Sequence, residues 1–140
     1  MGTKTAEAPS APENSLGADW PAEVELILSA MDAGHDPDAY ADRRAVTRIP
    51  YRVRGELRLF SDPSGTAPWM IYTRDVDRRG LGFITSHRLP LGYGGWIELA
   101  APNGRMMKIH CTLFRCRQAV EGWFEGALYF NREQPVFAQR

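Results

Sequence analysis

The stretch Tyr51-Arg-Val-Arg-Gly-Glu-Leu-Arg-Leu-Phe60 puts Val53, Leu57 and Leu59 on one face and Arg52, Arg54, Glu56 and Arg58 on the other. A period of two marks a strand with one side in a core and the other in water. The same texture continues toward the C-terminus. After the turn SDPSGTAP (61–68) come WMIYTRDV (69–76) and GLGFIT (80–85), and after HRLPLGYGG (87–95) comes WIELA (96–100). The turn PNG (102–104) leads into MMKIHCTLFRCR (106–117), and Glu121–Gly122 into WFEGALYF (123–130). About six strands broken by Gly, Pro and Asn turns predict an all-β domain, an antiparallel six-stranded barrel that is closed or nearly so. No internal repeat is present.

Upstream the texture changes. Residues 1–17 (MGTKTAEAPSAPENSLG) are rich in Ala, Pro, Ser and Glu and are expected to be a flexible tail. A short N-terminal helix is predicted within 18–34. Asp19 suits its N-cap, Pro21 its first turn and Gly34 its end. Val24, Ile27, Leu28 and Met31 fall at i, i+3, i+4 and i+7 and form one apolar stripe, which needs a surface to cover. Residues 35–42, with Pro37 and several aspartates, form an acidic linker. The barrel is expected over 43–131, and 132–140 is left as a C-terminal tail.

The net charge of zero conceals a division. Residues 1–42 carry one lysine against nine acids, whereas 43–140 carry sixteen basic residues against eight acids. Fifteen of the seventeen basic residues are arginine. A GC-rich genome accounts for such a bias, and so does a need for planar, bidentate contacts to phosphate and guanine. No apolar run reaches the length of a membrane span, and the start lacks the apolar core of a secretory signal, so a cytoplasmic protein is expected. Cys111 and Cys116 lie an odd number apart in one strand, which predicts opposite faces and no disulfide. His35, His87 and His110 are isolated, so no metal site or cofactor is expected.

Two stretches carry the chemistry. DRRAVTRIP (42–50) places Arg43, Arg44 and Arg48 just ahead of the first strand. RDVDRRGLGF (74–83) places Asp75, Asp77, Gly80 and Gly82 at a strand end, where the backbone turns or is approached closely. Guanidinium pairs with the O6/N7 edge of guanine and with phosphate, while a carboxylate accepts from the N1–H and amino donors of the same base. Together the two stretches can describe guanine.

Arg44-Ala-Val-Thr-Arg48, followed by Asp75-Val-Asp77-Arg-Arg-Gly80, resembles the RxxxR and [D/N]xSxxG motifs of the PilZ domain family. Phe124-Glu-Gly-Ala-Leu-Tyr-Phe130 resembles that family's closing strand. The resemblance spans roughly residues 42–131 and implies a barrel that binds the second messenger cyclic di-GMP. By position, Arg44 and Arg48 would clamp phosphate and guanine, Asp75 would read the guanine edge, and Gly80 would admit close backbone approach. Arg43 would add a third guanidinium, and Arg78 and Arg79 a positive rim. Asp77 departs from the family serine. A carboxylate only accepts hydrogen bonds, and near the ligand's phosphates its repulsion would amount to roughly 1–4 kcal/mol unless it turns outward or pairs with Arg74 or Arg79. The resemblance implies a sensor that changes conformation or protein-partner binding when nucleotide binds. The charge division leaves two readings of the acidic segment 32–42: it stays solvated as an ordinary acidic linker, or it occupies the basic entrance when ligand is absent.

The alternative is a PilZ-like protein-interaction module that has lost the nucleotide. Arg79-Gly-Leu-Gly-Phe83 also matches the carboxylate-binding loop of PDZ domains, but only 57 residues follow it, and they read as strands. Nucleic acid is disfavoured, because Trp69, Trp96, Trp123 and Phe124 sit in strands and are expected in the core. With no nucleophile–base pair and no P-loop, the chain is not expected to be an enzyme.

Overall fold

A computed structural model describes residues 20–33 and 48–138. One helix, α1 (Ala22–Ala33), precedes seven strands: β1 (Ile49–Pro50), β2 (Arg54–Leu59), β3 (Trp69–Asp77), β4 (Gly80–Thr85), β5 (Gly94–Ala100), β6 (Met106–Val120) and β7 (Trp123–Phe130). All pairings are antiparallel, and the sheet order is β1-β3-β2-β5-β6-β7-β4. Pairing of β3 with β4 returns the sheet on itself, so six strands close a barrel and the two-residue β1 rides on β3. Closure leaves β2 through β7 without an unprotected edge.

Alternation places Leu57 and Leu59 of β2 in the core, as the period of two requires, together with Ile71, Phe83, Ile97 and Leu128. Between β1 and β2 the ladder is interrupted. There the fully buried Thr73 hydroxyl donates to Tyr51 O at 2.5 Å and accepts from Val53 N–H at 2.9 Å, which satisfies backbone groups a ladder would otherwise pair. The 3₁₀ turn Pro135–Phe137 lies in the stretch expected as tail. Its Phe137 is buried against Tyr51 and Phe130 at ring separations of 5.5 and 5.8 Å.

The helix forms where its apolar spacing predicts. Val24 and Leu28 are fully buried with Ile84, and Ile27, Met31, Trp20, Tyr72 and Trp123 pack around them. Ile84 points out of the barrel, and α1 is what buries it. The expected caps, Asp19 and Gly34, lie outside the described residues, as do the tail 1–17 and the linker 35–42.

Two inferences from strand parity need correction. Cys111 and Cys116 are free, but both face inward and are buried, because a bulge between Leu113 and Arg115 inserts one extra residue and restores the face. Trp96 does not join the core cluster; it lies on the outer face of β5 beneath the Lys108 ammonium, 4.4 Å from its ring centroid. Among the described residues no helix is long and apolar enough to cross a membrane.

Candidate functional site

The hairpin joining β3 to β4 has only Arg78 and Arg79 between the paired residues Asp77 and Gly80. Two-residue hairpins ordinarily rely on positive φ, yet no residue of this turn has it. The Asp77 carboxylate compensates. Its Oδ1 accepts the backbone N–H of Arg79 at 2.7 Å and of Gly80 at 3.0 Å, as an Asx turn does. Its Oδ2 accepts Arg48 Nε at 3.2 Å, and the residue is only 6% exposed. Asp77 therefore turns neither outward nor toward the side chains of Arg74 and Arg79.

Arg48 joins both motifs. Besides Asp77 it donates through Nη1 to Asp75 Oδ1 at 3.2 Å, and the same oxygen accepts Gly82 N–H at 3.2 Å. Two of the five guanidinium N–H groups are thus committed, and three have no acceptor among the described residues. Arg43 and Arg44 lie outside the described residues.

Gly80 and Gly82 divide the role foreseen for Gly80. A Cβ on Gly80 would meet Leu128 O at 2.2 Å, so its missing side chain serves the close approach of β7. A Cβ on Gly82 would instead meet Asp75 Oδ1 at 2.8 Å, with Arg48 Nη1 at 3.5 Å. Gly82 is the glycine at the site.

A cavity of about 290 Å³ opens here, and Arg48, Asp75 and Gly82 form one wall of it. The neighbouring strands β7 and β6 add Glu125, Arg115, Arg117 and Gln118 to the lining, and Arg74 and Met31 also take part. The lining holds four guanidiniums and two carboxylates, and Asp75 is paired with Arg48 within it. Glu125 is buried and bridges Arg115 and Arg117, its direct partner across β6 and β7. The Arg115 Nε–H is buried without an acceptor among the described residues. Arg74 is held from outside by Asp32 at the end of α1, at 3.1 Å, and Asp32 also takes Arg52 at 3.0 Å. Arg78 and Arg79, foreseen as a rim, both pair with Glu133.

Sequence inspection missed Arg115, Arg117, Gln118 and Glu125. The signal was present: Arg115 and Arg117 are two apart in one strand, and Glu125 opens the next. Only the register made that signal usable.

The fold and cavity thus define a closed six-stranded antiparallel barrel with an arginine-lined cavity on its outer face. No protein-family model matches the chain, and no curated protein is significantly similar to it.

Proposed function

We propose that this chain is a PilZ-type sensor whose arginine-lined cavity binds cyclic di-GMP and passes the binding event to a protein partner; it is not an enzyme. The observation that carries the proposal is the convergence of Arg48 and Asp75 on one cavity, each held by partners that fix its direction. Arg48 keeps three N–H donors for phosphate or the guanine O6/N7 edge. Asp75 keeps Oδ2, which has no partner among the described residues, for the N1–H and amino donors. The lining has an excess of two positive charges, which suits a ligand with two phosphodiesters. Arg43 and Arg44 would close over the ligand from the segment ahead of β1.

A second reading has its own observation. Arg48 already meets both Asp75 and Asp77, so a ligand must share a guanidinium that the fold has neutralised. On that reading the barrel is an interaction module that no longer binds nucleotide.

Titration with cyclic di-GMP and, separately, with cyclic di-AMP tests the assignment. Adenine lacks the N1–H donor and the acceptor O6, so a site built from Arg48 and Asp75 should prefer the guanine ligand by at least about tenfold, the yield of one lost bidentate contact. Equal affinities would show phosphate binding without base recognition. No binding of either would favour the interaction module.

A further inference from the structure

Most arginines on the described barrel have a carboxylate partner: Arg48 has Asp75 and Asp77, Arg52 and Arg74 share Asp32, Arg78 and Arg79 share Glu133, and Arg115 and Arg117 share Glu125. Against that background, a second cavity of about 340 Å³ is unusual. It is lined by Lys108, Ile109, His110, Asn131, Arg132 and Gln134, with no carboxylate in its wall. Neither Lys108 nor Arg132 has an ion-pair partner among the described residues. The acid next to Arg132 in sequence, Glu133, is committed to Arg78 and Arg79. Glu98 stands opposite Lys108 on the β5 side and does not line the cavity. Asn131 Oδ1 accepts from Thr112 at 3.2 Å, so the amide N–H groups are what Asn131 has left to offer.

The cavity adjoins a cluster of mutually tilted aromatic rings. His110, in its wall, lies 6.2 Å from the ring of Phe60 and 6.5 Å from that of Trp96, and these two rings are 5.7 Å apart. Phe60 is 62% exposed. Lys108 lies over the Trp96 ring, so its charge is already directed to this surface. Cations and amide donors beside exposed rings are what a phosphate ester carrying a planar base requires: ionic contacts for the phosphate and a face for the base to stack on. The first cavity uses residues 115–119 of β6 and this one uses 108–110. At strand rise the two are on the order of 20 Å apart and share no lining residue.

We propose that the Lys108–His110–Arg132 cavity is a second, base-nonspecific site for a phosphate ester bearing a planar base, with Phe60 as the stacking face. The same chemistry is presented by a free nucleotide and by one residue of a single-stranded oligonucleotide. It is independent of the cyclic di-GMP assignment.

The test is backbone and indole amide NMR of the full chain, titrated with inorganic phosphate, uridine monophosphate and a short oligouridylate. Pyrimidine probes lack the guanine edge, and residue-resolved shifts keep any phosphate contact around Arg48 and Arg115 distinct from those at this cavity. The expected result is saturable shifts in residues 108–110, 131–134 and the Trp96 indole. Uridine monophosphate should bind about tenfold or more tightly than phosphate, since only it can stack. Further tightening with oligouridylate would identify the polymer as the source, and equal affinity the free nucleotide. Lys108→Gln with Arg132→Gln, both exposed positions, should abolish these shifts while the spectrum elsewhere and the cyclic di-GMP isotherm stay unchanged. Shifts that persist in that double variant, or no local shifts with any probe, would overturn the proposal.

Discussion

Asp77 shows how one carboxylate can belong to the fold and to the candidate site at once. It closes a hairpin that has no positive-φ residue, and it balances Arg48 in a nearly dry position. Asp77→Ala leaves two turn N–H groups and the Arg48 Nε–H without an acceptor, and should cost about 2–4 kcal/mol in denaturant unfolding. Asp77→Ser keeps a weaker acceptor for the turn and releases Arg48, so it should cost less stability and strengthen cyclic di-GMP binding. Thr73→Val removes the hydroxyl that bridges Tyr51 and Val53 and should cost about 1–3 kcal/mol, measured in the same way. Burial pushes the Cys111 thiol up to about 12, and does the same to the Tyr51 phenol. Both groups stay protonated in the fold at pH values where an unfolded chain ionises them. Their contribution is therefore complete below about pH 9 and lost as the pH rises toward 12. Thermal midpoints should fall over that window, and Cys111→Val should flatten the fall. Neither cysteine should react with a thiol reagent at neutral pH until the barrel unfolds.

At the scale of elements, α1 is the part whose sequence and surroundings agree least locally. Asp32 lies in its last turn, where the helix dipole disfavours a carboxylate, and no basic residue accompanies it there. Arg52 and Arg74 of the barrel supply the missing positive charge. Because Arg74 also lines the first cavity, Asp32 competes with any anion that enters. Asp32→Asn should raise cyclic di-GMP affinity by a few fold and speed amide exchange at the end of α1. Unchanged affinity would show that Arg74 takes no part in binding. Residues 34–42 of the acidic segment lie outside the described residues. Leu28→Ala opens the interface over Ile84 and should cost about 2–5 kcal/mol, or undock the helix first, which amide exchange along α1 would register. The strands and the helix were legible because their periods are strong. Strand parity beyond Leu113 was not, since a bulge leaves no mark in sequence, and so the inward turn of Cys116 could not be foreseen.

Over the whole molecule, the division of charge between residues 1–42 and the rest is realised, within the described residues, as contacts from Glu25 and Asp32 on α1 to arginines of the barrel. The all-β architecture could be read from alternation and turn residues. A closed barrel was expected as well, but which strands meet to close it, β4 with both β3 and β7, could not be read, because those pairings join strands distant in the chain. The candidate site was half legible. Arg48 and Asp75 meet as their motifs suggested, whereas the wall of Arg115, Arg117 and Glu125 is assembled by register alone. The most direct test of the central claim is isothermal titration of the full chain with cyclic di-GMP, with Arg44→Ala and Asp77→Ser measured beside it. Micromolar or tighter binding, lost in Arg44→Ala and strengthened in Asp77→Ser, is the result expected. Absence of binding by all three proteins would contradict the account and leave the arginine-lined cavity without a nucleotide.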